Sequence, residues 1–296
     1  MHKRDNCGVG FYLVTTDHLS DKIWFRDKAD FKVGMNAVPI VALATGVKVV
    51  AFILMSNHVH FLLFCSYDDA RRFIAEYKGF YSRYMRRKYG IREMLRGNKE
   101  DVREIEMQKD SVEWVIAYIH MNCVAANICL QPSDYPWGTG RSFFRFESAK
   151  GTRLDNLSKR ARSKLMHSEK DLPGYLLVGE DGYIIPDSYV DVKFVETLFR
   201  TPKRMQFFQV NSSKAKRRLN DVNAELPSFP DQLIAAAVVS LCQTLFQKRS
   251  VQELSQAQLT ELLRQLRFRF SSHAEQLARV VGLTYGKVVS LLDSPA

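Results

Sequence analysis

The stretch Ser56-Asn57-His58-Val59-His60-Phe61-Leu62-Leu63, SNHVHFLL, decides the fold. A polar turn, Ser56-Asn57, separates two apolar runs: residues 47–55 (VKVVAFILM) before it and residues 58–65 (HVHFLLFC) after it. β-Branched and aromatic runs bounded by turn residues read as strands, so the two form a hairpin. Residues 9–15 (VGFYLVT) read as an earlier strand on the same grounds. Side chains at i and i+2 of a strand share a side. His58 and His60 therefore project together, while Val59 turns away into the core.

Working outward, a helix over part of residues 29–44 joins the first two strands, blurred by Pro39. The segment 37–55 is apolar, but Pro39, Gly46 and Lys48 break it, and helix, turn and strand explain it better than a bilayer crossing. Residues 68–89 have helical period: Phe73, Ile74, Tyr77, Phe80, Tyr81, Tyr84 and Met85 fall on one face, and Gly90 stops the helix. Arg71, Arg72, Lys78, Arg83, Arg86 and Arg87 lie off that face. After Asp68-Asp69 only Glu76 opposes them, which tilts the face from plain solvation toward phosphate binding. A further helix is expected over residues 111–126, with Asp110 as N-cap and Glu113 three residues on. The segment from Pro132 (PSDYPWGTGRSFF) reads as a loop and then a closing strand. The order β–α–β–β–α–α–β implies an α+β domain, an antiparallel sheet with helices packed on it.

The expected division is 1–150 for this domain, 151–230 for a linker with a β-hairpin (175–186, turning at Gly182) and a helix (from Asp191), and 231–296 for a helical domain. Residues 211–230 read as a second basic stretch. Residues 271–293 pattern as helix, Gly282 turn, helix, with Ser272 and Glu275 as a capping box. In this helix-turn-helix, Tyr285, Lys287 and Ser290 are the outward residues expected to read a DNA groove.

The 296-residue chain carries a formal charge of +11. The excess is spread: 22 Lys and Arg against 17 Asp and Glu in residues 1–150, and 21 against 15 in the remainder. Nucleic acid is the leading partner class on that balance, ahead of an acidic membrane surface. Five scattered cysteines without a C-x-x-C pair argue against a disulfide framework or a zinc ribbon. With no signal-peptide core at the N-terminus, a cytoplasmic location is expected.

Two imidazoles on one side of a strand are placed to share a divalent ion. In YIHMN, Tyr118 and Asn122 lie one turn apart on a helical face. The carboxamide oxygen of Asn122 would complete a three-ligand set, with the phenol aimed at the same spot. Helix periodicity alone equally supports a half-buried packing Tyr118 and an Asn122 that caps the helix.

The blocks AFILMSNHVHFLLF, SRYMRRKYG, VIAYIHMNCVAANI and DYPWGTGRSFF, in this order and spacing across residues 8–145, resemble the single-tyrosine HUH transposases. Within them the resemblance is to the REP-associated tyrosine transposases, related to the insertion-sequence 200/605 group. It implies a ferredoxin-like (RRM-like) fold, His58, His60 and Asn122 as ligands of Mg²⁺ or Mn²⁺, and Tyr118 as nucleophile. The implied activity is metal-dependent endonuclease and strand-transfer chemistry on single-stranded DNA through a 5′-phosphotyrosine, serving DNA transposition and recombination. The implied partner is single-stranded DNA with a hairpin or palindrome, and a homodimer is compatible with it. The chain departs from the family pattern at Asn122-Cys123-Val124, where that pattern has NPV, and at Ala125-Ala126-Asn127, where it has RAG. Cys123 is expected to let the helix run on. These departures support the alternative of a domesticated, catalytically weak or inactive DNA-binding protein. A two-histidine phosphoesterase, suggested by His18-Leu19-Ser20, fails because His58-Val59-His60 lacks the hydroxyl residue.

Overall fold

In the computed structural model, residues 8–19, 22–92, 95–106, 111–145, 147–168, 170–212, 229–270 and 272–293 are described. The hairpin is β2 (Lys48–Leu54) and β3 (Val59–Cys65), closed at Ser56-Asn57 by a bond from Met55 N to His58 O of 2.9 Å. β1 (Gly10–Thr16) pairs antiparallel with β3, setting Thr15 opposite His60 and Val14 opposite Phe61. The sheet has the order β2-β3-β1-β4, the ferredoxin-like arrangement.

Its fourth strand, β4 (Glu100–Glu104), corrects the expectation of a closing strand after Pro132. EDVRE has one apolar residue and so no strand signature. It is an edge strand held by β1 alone, and charge on such an edge discourages pairing with other chains. The segment expected to close the sheet instead runs along the outer edge of β2. Leu54 N donates to Trp137 O and Thr139 N to Phe52 O, with one bridge between Ile53 and Gly138. A Cβ on Gly138 would come within 2.6 Å of Phe52 O and 3.0 Å of Ile53 Cα. Both are backbone, so Gly138→Ala is expected to cost about 1–3 kcal/mol, the usual range for overpacking, read as a lower denaturant midpoint.

Two helices cover one face of the sheet. α1 (Lys28–Thr45) is capped by Asp27 and stopped by Gly46 at φ 73°. α2 (Tyr67–Tyr89) is capped by Ser66 and stopped by Gly90 at φ 71°. All seven apolar residues expected on the inner face of α2 are buried. Phe61 of β3 meets Phe73 and Tyr77 of α2 at ring distances of 5.0 and 5.1 Å. Fully burying a side chain of this size is worth about 1.5–3 kcal/mol.

The other face carries α3 (Val112–His120) and α4 (Asn122–Ala125). The single helix expected over 111–126 is thus two, broken at Met121, and α4 ends where Asn127 takes φ 54°. Cys123 does not let α3 run on. The N-cap of α3 is Ser111, whose hydroxyl bonds the Glu113 carboxylate rather than a backbone N–H; Asp110 lies outside the described residues.

Beyond residue 150 come β5 (Thr152–Arg153), α5 (Lys159–Met166), β6 (Leu177–Val178), α6 (Val192–Phe199) and α7 (Pro202–Asn211). Leu154, Met166, Leu176, Ile184, Val195 and Phe199 join the same core as the sheet. The turn at Gly182 is present at φ 78°, but β6 pairs mainly with β5 and only bridges to Ile184. Most of the second basic stretch, 213–228, lies outside the described residues.

The C-terminal region has its own core. α8 (Asp231–Phe246), α9 (Gln256–Phe270), α10 (Ala274–Val281) and α11 (Tyr285–Leu292) bury Ile234, Leu241, Leu263, Leu277, Val281 and Val288 together. α10 and α11 are joined at Gly282, φ 77°, as a helix-turn-helix requires. The expected capping box is absent: the N-cap of α10 is His273, with no side-chain cap bond. Among the described residues, no helix is long and apolar enough to cross a membrane.

Candidate functional site

β3 alternation sorts its side chains between the two faces. Phe61 faces α2, as its ring contacts show, so His60 faces the other way, where α3 packs. The rings of His60 and Tyr118 meet edge to face at 5.5 Å, and those of His58 and His60 at 4.8 Å. A strand and a helix thus bring both imidazoles and the phenol into one cluster. Both histidines are buried and Tyr118 is half-buried.

The turn fixes the state of His58. Asn57 donates from Nδ2 to Leu19 O at 3.1 Å, so its oxygen is the end facing His58 Nδ1, 2.9 Å away. That oxygen accepts the Nδ1 proton and leaves the ring's lone pair on Nε2. A second group that fixes tautomer and ring angle is the usual support of a metal-ligating histidine. Sequence reasoning missed Asn57 in this part. His18, which the sequence offers only as one arm of a rejected phosphoesterase pair, stacks its exposed ring on His58 at 3.7 Å and 16°. Its signal lay in strand pairing: Thr15 opposes His60, so the chain leaving β1 passes the start of β3.

Asn122 opens α4. Its amide nitrogen donates to Tyr118 O at 2.8 Å and Ile119 O at 3.2 Å, the helix-capping role. With the nitrogen so engaged, Oδ1 is the amide's acceptor end. Among the described residues, no three His, Cys, Asp or Glu side chains are grouped to hold a metal ion. A cation held by the two imidazoles would need a further oxygen donor, the role that the resemblance gives to Asn122. Such a nitrogen and oxygen donor set suits Mn²⁺ and admits Mg²⁺.

His120 is a structural residue. It is buried, with Nε2 3.1 Å from Thr139 Oγ1 and Nδ1 3.4 Å from the Gln209 amide nitrogen. Burial pushes its pKa down to about 4, so the ring is neutral, accepting from Gln209 and donating to Thr139. Cys123 is buried too, and the neighbouring Cys129 and burial both raise its thiol, which makes it a packing group. Tyr135 and Trp137 are packing residues. Tyr135 is buried and donates to Leu54 O at 2.8 Å, and the Trp137 ring stacks on Phe31 at 4.8 Å.

The basic residues of α2 lie across the sheet from Tyr118, because α2 and α3 cover opposite faces. Arg72 bonds Thr45 O and Asp69, and Lys78 bonds Asn98 O and Glu100. Arg71, Arg83, Arg86 and Arg87 are exposed. On α11, Tyr285 is 52% exposed, and Lys287 and Ser290 are exposed beside it, while Val288 and Leu291 face the core. All three are thus solvent-facing, and Tyr285 and Lys287, two positions apart, point to different sides of α11.

No family model matches the chain, and no curated protein matches it significantly. Among solved structures, the chain is similar to a REP-associated tyrosine transposase bound to a REP hairpin, at 16% identity and a TM-score of 0.38. That similarity covers 48% of this chain and 82% of the other.

Proposed function

We propose that the chain is a transposase-like enzyme that cleaves and rejoins single-stranded DNA, with Tyr118 as nucleophile. The observation that supports this reading most is the cluster of His58, His60 and Tyr118 built from a strand and a helix. His58, His60 and Asn122 would hold a divalent metal, Mg²⁺ or Mn²⁺. When bound, such an ion supplies positive charge against the phosphate oxygens.

The chain's own groups do the rest. Asn57 holds His58 with its lone pair on Nε2. The Tyr118 oxygen attacks phosphorus, forming the Tyr–O–P bond as the bond to the 3′-oxygen breaks. The phenol loses its proton and the departing 3′-oxygen gains one. The 5′-phosphotyrosine keeps the energy of the broken ester, so a 3′-hydroxyl can reverse the attack and join strands. The positive charge of both halves of the chain suits a phosphate backbone, and the exposed triad on α11 suits DNA contact.

The second reading is a DNA-binding protein that does not cut. The break at Met121 and the engagement of the Asn122 amide with the last carbonyls of α3 favour it. One experiment separates the two: incubation of the protein with hairpin-bearing single-stranded DNA and Mn²⁺, then denaturing electrophoresis and mass spectrometry. The expected result is a covalent adduct at Tyr118, abolished by Tyr118→Phe and lowered at least about 100-fold by His60→Ala. Metal-independent binding unchanged by His58→Ala, with no adduct from the wild type, would leave only the second reading.

A further inference from the structure

α1, α2 and α5 enclose a cavity of about 1110 Å³ on the face of the sheet opposite Tyr118. Six cations line it: Lys32 from α1, Arg83, Arg87 and Lys88 from α2, and Lys164 and Lys170 from α5 and the chain after it. Among the described residues, Glu76 is the one carboxylate in the lining. Lys88 is neutralised by Asp27 and Asp30, each 2.7 Å away. The other five face the space as a charge excess.

The groove is a built one. Asn36, buried on α1, donates to Leu165 O of α5 at 3.0 Å and accepts from Ile184 N at 2.8 Å. These bonds fix the α5 rim against the α1 rim. His167 ends α5 in the left-handed region at φ 49°, a conformation unusual for a residue with a side chain, and its ring sits 5.3 Å from that of Tyr84. Burial, and then the charges of Arg87 and Lys88, hold its pKa below the ordinary histidine value. Valine, isoleucine and phenylalanine side chains (Val33, Ile40, Phe80) form the lining beneath the cations.

We propose that this groove holds a single-stranded segment of nucleic acid, its phosphates between Arg83 and Arg87 on one rim and Lys164 and Lys170 on the other. A strand of one chain's width enters between three helices and can meet cations on both sides. The inference rests on the nucleic-acid partner proposed above, but not on cleavage. It adds a second contact region, on the reverse side of the sheet, where an incoming strand is gripped apart from the reacting phosphate.

The test uses the full chain carrying Tyr118→Phe, without divalent metal, so that its result is independent of adduct formation. Binding of fluorescein-labelled oligodeoxythymidylate is followed by anisotropy across salt concentrations, beside a duplex of the same length. The pairs Arg83→Gln/Arg87→Gln and Lys164→Gln/Lys170→Gln remove one rim each; these side chains are exposed or rim groups, and thermal unfolding checks that the fold is kept. Each pair is expected to weaken oligodeoxythymidylate binding roughly tenfold and to lower the log–log salt slope by about 1.4, two contacts at about 0.7 each for a single strand. The His167 ring protons, followed by NMR, are expected to titrate at higher pH with the oligonucleotide bound, since phosphate offsets Arg87 and Lys88. Unchanged affinity and slope in either pair would overturn the proposal. So would equal weakening of duplex binding, or an unmoved His167 titration, both of which signify general surface attraction. A cleavage reading lost for want of an adduct would leave this measurement standing.

Discussion

Replacing Asp231 by alanine is expected to destabilise the protein by about 3–5 kcal/mol, the range for removing one partner of a buried ion pair. Asp231 opens α8, yet its carboxylate is buried where the two cores meet. It accepts from Ser56 Oγ at 2.6 Å, from Gln276 Nε2 at 2.9 Å and from Arg279 Nε at 3.1 Å. One acid therefore ties the turn that precedes His58 to α10 of the helix-turn-helix. Alanine would leave the Arg279 guanidinium, 15% exposed, with no carboxylate, and Ser56 without its acceptor. Asparagine is no rescue, because it turns an amide NH₂ toward donors. Equilibrium unfolding in guanidinium chloride gives the loss. Arg279→Ala in the same background should add far less than it does alone, since the charge left stranded is then gone. A loss below about 1 kcal/mol for Asp231→Ala would mean that the two cores are not joined through this residue.

The hairpin, the paired histidines and the inner face of α2 were legible because each follows from a period. Val59, Phe61 and Leu63 alternate against His58, His60 and Leu62, and one ring contact, Phe61 on Phe73, fixes which set faces α2. Tyr118 beside His60 was legible only with the resemblance, because helical spacing alone is equally met by a packing tyrosine. β4 was not legible: Glu100, Asp101, Arg103 and Glu104 give no apolar alternation, and pairing with β1 alone makes the strand. Periodicity separates the charged face of a helix from its apolar face but does not say which side of a sheet the helix covers. That is why the sequence marks Arg83 and Arg87 as candidate phosphate contacts without placing them relative to the histidines; they stand beside α5. The partners Leu154, Ile184 and Phe199 fall in a stretch that reads as a linker with a hairpin and a helix, and no local pattern says that these elements pack on the first core.

Asp30→Ala carries a comparable expected loss, again about 3–5 kcal/mol, and its cause lies in how α1 and α2 are tied. Asp30 is fully buried in the first turn of α1. Its carboxylate takes the Lys88 ammonium at 2.7 Å, the Tyr84 hydroxyl at 2.8 Å and Arg26 N at 2.8 Å. Asp27 and Asp30 at the start of α1 meet Lys88 at the end of α2, so charge and helix dipole agree at both termini. Lys88 responds as this geometry demands: burial alone would lower its pKa, but bonds to Asp27 and Asp30 raise it, and it stays charged. Asp27 is half-exposed, and burial would raise its pKa; the bond to Lys88, the Asp30 N–H, the Lys88 charge and the Tyr89 hydroxyl together outweigh this and the net shift is downward. A carboxylate lowered on folding adds stability that is full above the unfolded value, near 3.8, and is lost as pH falls through the lower folded value. Asp27→Ala should therefore cost about 1 kcal/mol at neutral pH, mostly the lost N-cap, and its difference from wild type should shrink in strong acid. Asp30→Ala should cost several times more at neutral pH, because it strands the Tyr84 hydroxyl and half of the Lys88 bonding inside the fold. Urea unfolding of both variants across acid to neutral pH checks this order, and equal losses at pH 7 would show that Lys88 needs only the exposed partner.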